Sequence, residues 1–337
     1  MRTEKAKYGL RGPVKKVQIE TATLEEQDEQ IVEKLLFSQT IIFNESGQVL
    51  EQLNRNPDGS EWRTVNDHSD SGNLLTTKSF DRTGALNSEV RYIYDANDRL
   101  TAEQHVDPDG RVTTPTTYAY DDAGGKVKID ELDFPGNADM MIAIEGLTMV
   151  SAAEARRVES RYNERDEAVE VRVFNNDGAL VSRVEITRDA RGNPLEETQY
   201  IGDAFAFQAC ASDSCSTEEM TELTEEQKAE VARVFAPGSA MSKHTHRYDT
   251  EGRLIESKLT MMGMEVTRQT LAYDEVGNRS EEVSYNAEGG VARAIFTREY
   301  DEHGNWTMEL VSNASSWDAE FGLSTPAQVT RRLITYW

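Results

Sequence analysis

The side chains best placed to do chemistry occupy a few short stretches. His244 and His246 stand at i and i+2. That spacing puts two imidazoles on one face of a strand, where they could ligate a metal ion. The sequence places no third ligand beside them, so a solvated strand face competes with the metal reading. The two remain weak candidate ligands, and no metal or other cofactor is expected. Cys210 and Cys215 enclose Ala-Ser-Asp-Ser. They lack the additional Cys or His of a metal site and the tighter C-x-x-C of a redox pair. A small disulfide-closed loop is expected, which implies an oxidising compartment; the alternative is a pair of free thiols.

Other chemistry is weaker. Acidic turns such as Asp107-Pro108-Asp109-Gly110 invite calcium but lack the ligand series of an EF-hand loop. Met261, Met262 and Met264 are better explained by packing than by soft-metal binding. There is no G-x-S-x-G, no phosphate-binding glycine loop and no H-E-x-x-H. With 61 acids in the chain, no glycosidase-like carboxylate pair stands out. Against only 36 basic residues, those acids leave a net charge of −25, which excludes a nucleic-acid backbone as partner. Phe205, Phe207, Trp306 and Trp317 are the candidate aromatic anchors for a partner.

The elements that must carry these residues are legible in a recurring pentapeptide: aromatic, Asp or Asn, two variable residues, Gly. It begins at Phe43, Phe80, Tyr120, Phe174, Tyr248, Tyr273, Tyr285 and Tyr300, and at Tyr94 and Tyr162 with Asp98 and Asp166 in the glycine slot. The chemistry is that of a turn. The carboxylate or amide caps it, and glycine supplies the positive φ that closes it; Asp tolerates that region better than most residues. Flanks such as Val90-Arg91-Tyr92-Ile93-Tyr94 alternate as a strand does. The unit is therefore a β-hairpin.

Successive turns begin at 43, 55, 68, 80, 94, 106, 120 and 132, so short and long steps alternate. In a meander, alternate turns lie on opposite edges of the sheet. One edge takes the turns at 43, 68, 94, 120, 162, 188, 248, 273 and 300. The other takes the rest. Thirty residues separate Leu132 from Tyr162, and 48 separate a degenerate turn near Tyr200 from Tyr248. Both excesses fall on the second edge, as does the segment after an expected turn at 312–315. The second insertion should carry a helix near 217–235, capped by Ser216 or Thr217 and stopped by Pro237-Gly238. About 18 to 20 antiparallel strands are expected.

Tyr248-Asp249-Thr250-Glu251-Gly252-Arg253-Leu254 and Tyr273-Asp274-Glu275-Val276-Gly277-Asn278 resemble the YD-repeat, or Rhs-type, family. The resemblance covers residues 40 to 312. It implies an all-β fold of antiparallel hairpins in a long meandering, spiralling or barrel-like sheet. Large members wrap such a shell around a toxin. The short tail after residue 312 points instead to a stand-alone bacterial member without a toxin domain. The expected organisation is a single domain, 1–337, with an N-terminal hairpin over 12–43, repeats over 43–312, insertions at 137–158 and 201–245, and a closing segment over 313–337. The expected role is a non-catalytic binding or scaffold protein that recognises a protein or glycan through its inserted loops. A carbohydrate-active enzyme is the alternative. Met1–Lys5 lacks the apolar run of a secretory signal. With the cysteine pair, this suggests a periplasmic or extracellular chain whose signal has been removed, acidic and not membrane-spanning.

Overall fold

The turn chemistry organises the molecule, here a computed structural model that describes residues 4–27, 30–121, 125–132, 141–142, 150–151, 155–204, 224, 233, 236–315 and 326–337. In each well-formed pentapeptide the Asp or Asn side chain accepts amides from its own loop. Asp249 Oδ1 takes those of Glu251 and Arg253, both at 2.9 Å; Asp274 Oδ1 takes those of Val276 and Asn278, at 3.0 and 2.8 Å. The backbone closes with Gly252 N–H donating to Asp249 O at 3.1 Å. Gly252 sits at φ +83°, and the stand-ins Asp98 and Asp166 reach +58° and +63°. The register shifts by one residue beside these turns, for instance between Ile93 and Tyr94 and between Arg247 and Tyr248. That is the bulge such a turn leaves in one strand.

In chain order the elements are α1 (Glu4–Lys7), β1 (Val14–Gln27), β2 (Gln30–Phe43), β3 (Val49–Arg55), β4 (Glu61–His68), β5 (Leu74–Phe80), β6 (Leu86–Tyr94), β7 (Leu100–Val106), β8 (Val112–Tyr120), β9 (Lys126–Glu131), β10 (Met141–Ile142) and β11 (Val150–Ser151). They continue as β12 (Arg157–Tyr162), β13 (Ala168–Phe174), β14 (Leu180–Arg188), β15 (Pro194–Ile201), β16 (Ala240–Tyr248), β17 (Leu254–Met261), β18 (Met264–Tyr273), β19 (Arg279–Asn286), β20 (Val291–Tyr300), β21 (Trp306–Ser315) and β22 (Pro326–Tyr336). Twenty of these strands form one sheet, and β10 with β11 makes a separate pair. The first strand is paired on both sides, antiparallel with β2 and with β22, so the N- and C-terminal strands lie side by side in the first unit. The fold is the all-β hairpin repeat that the pentapeptides predict.

The chain divides into two compact units, Met1–Thr114 with Thr270–Trp337, and Pro115–Gln269. In the first, Val14, Val17, Ile19, Ile41, Phe43 and Val49 bury one face of β1–β3, with Leu10 packed alongside. In the second, Val158, Val171, Val173, Val181, Val184 and Ile186 do the same on β12–β14. In the second unit β9 pairs directly with β12, so the 132–156 connection leaves from the same sheet edge as the one joining β15 to β16. In the first unit, the β21–β22 connection and the β1–β2 turn likewise share an edge.

Two turn positions differ from expectation. Residues 312–315 are strand, since Ser312 to Ser315 pair with Ile295 to Ala292 and carry β21 past the expected turn. Leu259-Thr260-Met261-Met262-Gly263, which keeps only the glycine of the pentapeptide and is expected to turn on the second edge, closes through a two-residue turn, Met262 at φ +50° and Gly263 at +81°. This is the tight hairpin form whose twist matches its strands, and it needs no capping Asp. The expected helix over 217–235 lies outside the described residues, apart from Thr224 and Arg233.

Candidate functional site

Strand alternation puts Ser242, His244 and His246 of β16 on one face, and Glu197 and Gln199 of β15 on the same face beside them. Glu197 pairs directly with His244, and His246 pairs with Ser257 of β17. Three neighbouring strands of the second unit thus bring two imidazoles, a carboxylate and a hydroxyl together. The ligand-type atoms of Glu197, His244 and His246 all lie within 4.8 Å of one another. The two imidazole rings are 4.3 Å apart between centroids. His244 Nε2 and Ser257 Oγ are 2.6 Å apart. His246 Nε2 faces Glu197 Oε1 at 3.6 Å, beyond hydrogen-bond length, and the His246 side chain is only 9 % exposed. Neither ring nitrogen of His246 has a hydrogen-bond partner.

The electrostatics follow from this crowding. The His246 ring holds the Glu197 carboxyl below the usual carboxylate range against burial, which pushes it up; His244 and Arg188 add to the lowering. Burial, then the neighbouring His246, pushes the His244 imidazole down, and Glu197 opposes them. Next to the cluster the polar lining is satisfied. Gln199 Nε2 donates to Ser182 Oγ at 3.1 Å, and Ser242 Oγ donates to Gln199 Oε1 at 3.2 Å. Arg188 donates to Ala168 O and Gly192 O. The cluster can hold a cation, or place a proton between two imidazoles and a carboxylate.

Sequence reading singled out both histidines and missed Glu197. The signal was present in the turns. Counted from the 188–192 and 248–252 turns, β15 and β16 must run antiparallel with Glu197 opposite His244. The long insertion between them hid the pairing. Of the aromatic candidates, Trp306 lies at the start of β21, with the Arg332 guanidinium 3.4 Å from its ring centroid, so one ring face is already covered. Phe205, Phe207, Trp317, Cys210 and Cys215 lie outside the described residues.

A second feature stands out in the first unit. Among the described residues, β1 and β2 beyond Thr23 and Ser38 pair only with each other, since β22 reaches no further than Thr23 and β3 no further than Ser38. The resulting two-stranded arm exposes Ile31, Val32, Leu35 and Leu36, from 39 % for Val32 to 57 % for Ile31. Strand alternation puts Ile31 and Leu35 on one face of the arm and Val32 on the other, so both faces carry exposed aliphatic side chains.

A family model described as RHS Repeat matches residues 94–127. No curated protein matches the chain. Among solved structures, a porin-like protein from Bacteroides uniformis is similar over 97 % of this chain and 98 % of its own, at 11 % identity and a TM-score of 0.36. The TcdB2–TccC3–Cdc42 complex is similar over 91 % of this chain but 16 % of that one, at 14 % identity and a TM-score of 0.38. The Photorhabdus luminescens Tc holotoxin pore is similar over 83 % of this chain and 14 % of that one, at 15 % identity and a TM-score of 0.34. The chain therefore spans less than a fifth of the length of those last two chains. The fold is related to the YD, or RHS, repeat.

Two expectations are corrected here. Excluding a membrane assumed that only an apolar helix could cross a bilayer, and placing the chain free in the periplasm or outside the cell rested on that exclusion together with the cysteine pair and a removed signal. Closed antiparallel sheets cross with strands. The absence of a long apolar helix among the described residues therefore decides neither that exclusion nor that location, and a porin-like protein stands among the similar structures.

Proposed function

We propose that this chain is a non-catalytic binding scaffold. In each unit the edge formed by the pentapeptide turns holds the sheet, and the opposite edge makes the contact. The observation that carries this reading is the aliphatic arm of β1 and β2, which shares its edge with the β21–β22 connection. A two-stranded hairpin beyond the rest of its sheet is marginal in water on its own. Leaving Ile31, Val32, Leu35 and Leu36 uncovered there is costly unless an apolar surface meets them. Side chains of this kind suit a protein or acyl surface better than a sugar, which stacks on aromatic rings.

The test is retention of the full chain on envelope membranes of the producing cell, before and after protease treatment of those membranes. Retention that is lost when Ile31, Leu35 and Leu36 are all changed to Ser supports the reading, and protease sensitivity then assigns the contact to protein. Equal retention of parent and variant contradicts it. Release of reducing ends from a polysaccharide would replace it with the enzyme reading.

A further inference from the structure

We infer that Glu197, His244 and His246 form a binding site for one divalent transition-metal ion of zinc's chemistry. The inference stands apart from the scaffold reading, since the site lies on the β15–β17 face of the second unit and not in the arm.

The donor set comes first. Two imidazoles and one carboxylate suit zinc, copper or nickel, whereas calcium and magnesium call for a shell made wholly of oxygen. Three protein ligands with a fourth position left open is a recurring zinc arrangement. Geometry comes second. With zinc-ligand bonds of about 2.0–2.1 Å, tetrahedral donor atoms stand about 3.4 Å apart. His246 Nε2 and Glu197 Oε1 already stand 3.6 Å apart, and all three residues keep their donor atoms within 4.8 Å. Rotation of side chains on fixed neighbouring strands closes the remainder.

The third observation is independent of clustering. His246 is nine-tenths buried with both ring nitrogens unbonded. Buried polar groups are almost always partnered, so this pair asks for an explanation. Protonating His246 explains little. It would set a cation 4.3 Å, between ring centroids, from a second imidazole, with the Glu197 carboxylate at 3.6 Å, beyond hydrogen-bond length. A metal ion satisfies the ring nitrogen, the carboxylate and the second imidazole together. Ser257 supplies the outer support: its hydroxyl, 2.6 Å from His244 Nε2, fixes that ring's orientation.

The experiment is a calorimetric titration of the metal-stripped, tag-free full chain with Zn²⁺, in the presence of millimolar Mg²⁺ to occupy the acidic surface. One equivalent should bind with micromolar or tighter affinity. Glu197→Gln and His246→Gln should each weaken it at least about tenfold, because even outer-shell partners are worth that much. Co²⁺ added to the parent chain should give the visible bands of a four-coordinate ion, and Zn²⁺ should abolish them. This second measurement decides the matter if either variant fails to fold. Zinc binding with equal affinity in parent and variants would assign the ion to the general acidic surface and overturn the site. So would a parent chain that takes up no stoichiometric zinc and gives no cobalt spectrum.

Discussion

At the pentapeptide edge, successive turns of the same unit touch. Gln48 Nε2 donates to Gly72 O at 2.6 Å, Arg165 to Ala190 O at 3.0 Å and Arg191 to Thr250 O at 2.8 Å. Tyrosine hydroxyls make the same reach, from Tyr94 to Leu74 O and from Tyr248 to Pro194 O, both at 2.9 Å. A methyl group placed on Gly72, Gly192, Gly252 or Gly304 would meet a neighbouring side chain within 3.3 Å. At the opposite edge the same test on Gly59, Gly84, Gly110, Gly178, Gly263 and Gly289 meets nothing within 4 Å. Within each unit the turns of one edge touch one another, forming a seam, and the glycine turns of the other edge stand apart. Insertions need turns whose neighbours do not depend on them, so they accumulate where the seam is absent.

The largest effect expected would mark where tolerance at the open edge begins. Gly202 opens the second insertion, yet its N–H donates to Val181 O at 2.9 Å, and a Cβ there would stand 2.2 Å from Leu180 O. Gly202→Ala must shift backbone and should cost about 3 kcal/mol, measured by denaturant unfolding. A neutral result would mean the insertion is not anchored at its root.

At the seam, Asp301 accepts the amides of His303 and Asn305, each at 2.9 Å, and the hydroxyl of Tyr336. Asp301→Ala should cost about 2 kcal/mol and Tyr336→Phe about 1 kcal/mol. The seam also sets the pH limits. Burial and the Asp301 carboxylate push Tyr336 up to about 12 from an ordinary 10.0. Its contribution is complete below pH 10 and is lost as pH rises towards about 12. Asp95 and Asp249 are lowered from 3.8, chiefly by the amides of Arg99 and Arg253, so their contribution holds above that value and is lost as pH falls below it. Unfolding curves against pH should show Tyr336→Phe removing part of the alkaline loss and none of the acid loss.

Smaller changes sharpen the contrast. Asp98 holds φ +58° in the glycine slot. Asp98→Gly should stabilise by about 0.5–1 kcal/mol in the same measurement, less whatever its 3.4 Å contact with Asn73 contributes. On the arm, Leu35→Ser should stay within about 0.5 kcal/mol of the parent, since Leu35 is 42 % exposed and supports no core.

What the sequence made legible follows the same division. Strands and seam turns announced themselves because local chemistry dictates them: Asp249 needs only its own loop to form its cap, and Asp98 and Asp166 adopt the backbone their type permits. The Met262–Gly263 turn was displaced from expectation because a two-residue hairpin lacks the cap that marks the others. Glu197 was missed because its role depends on register across an insertion of nearly forty residues, which only a count inward from the 188–192 and 248–252 turns recovers. The arm's exposure was equally hidden, since Ile31, Val32, Leu35 and Leu36 read as an ordinary buried strand until the neighbouring strands end short of them.

The division of labour between the edges is tested most directly by melting two variants side by side: one with residues 205–235 replaced by a short Gly-Ser linker, the other carrying Asp301→Ala. If one edge holds the sheet and the other only bears insertions, the excised chain should melt near the parent temperature while the single substitution lowers it by several degrees. An excised chain that no longer folds, beside an Asp301→Ala variant that melts like the parent, would contradict the account.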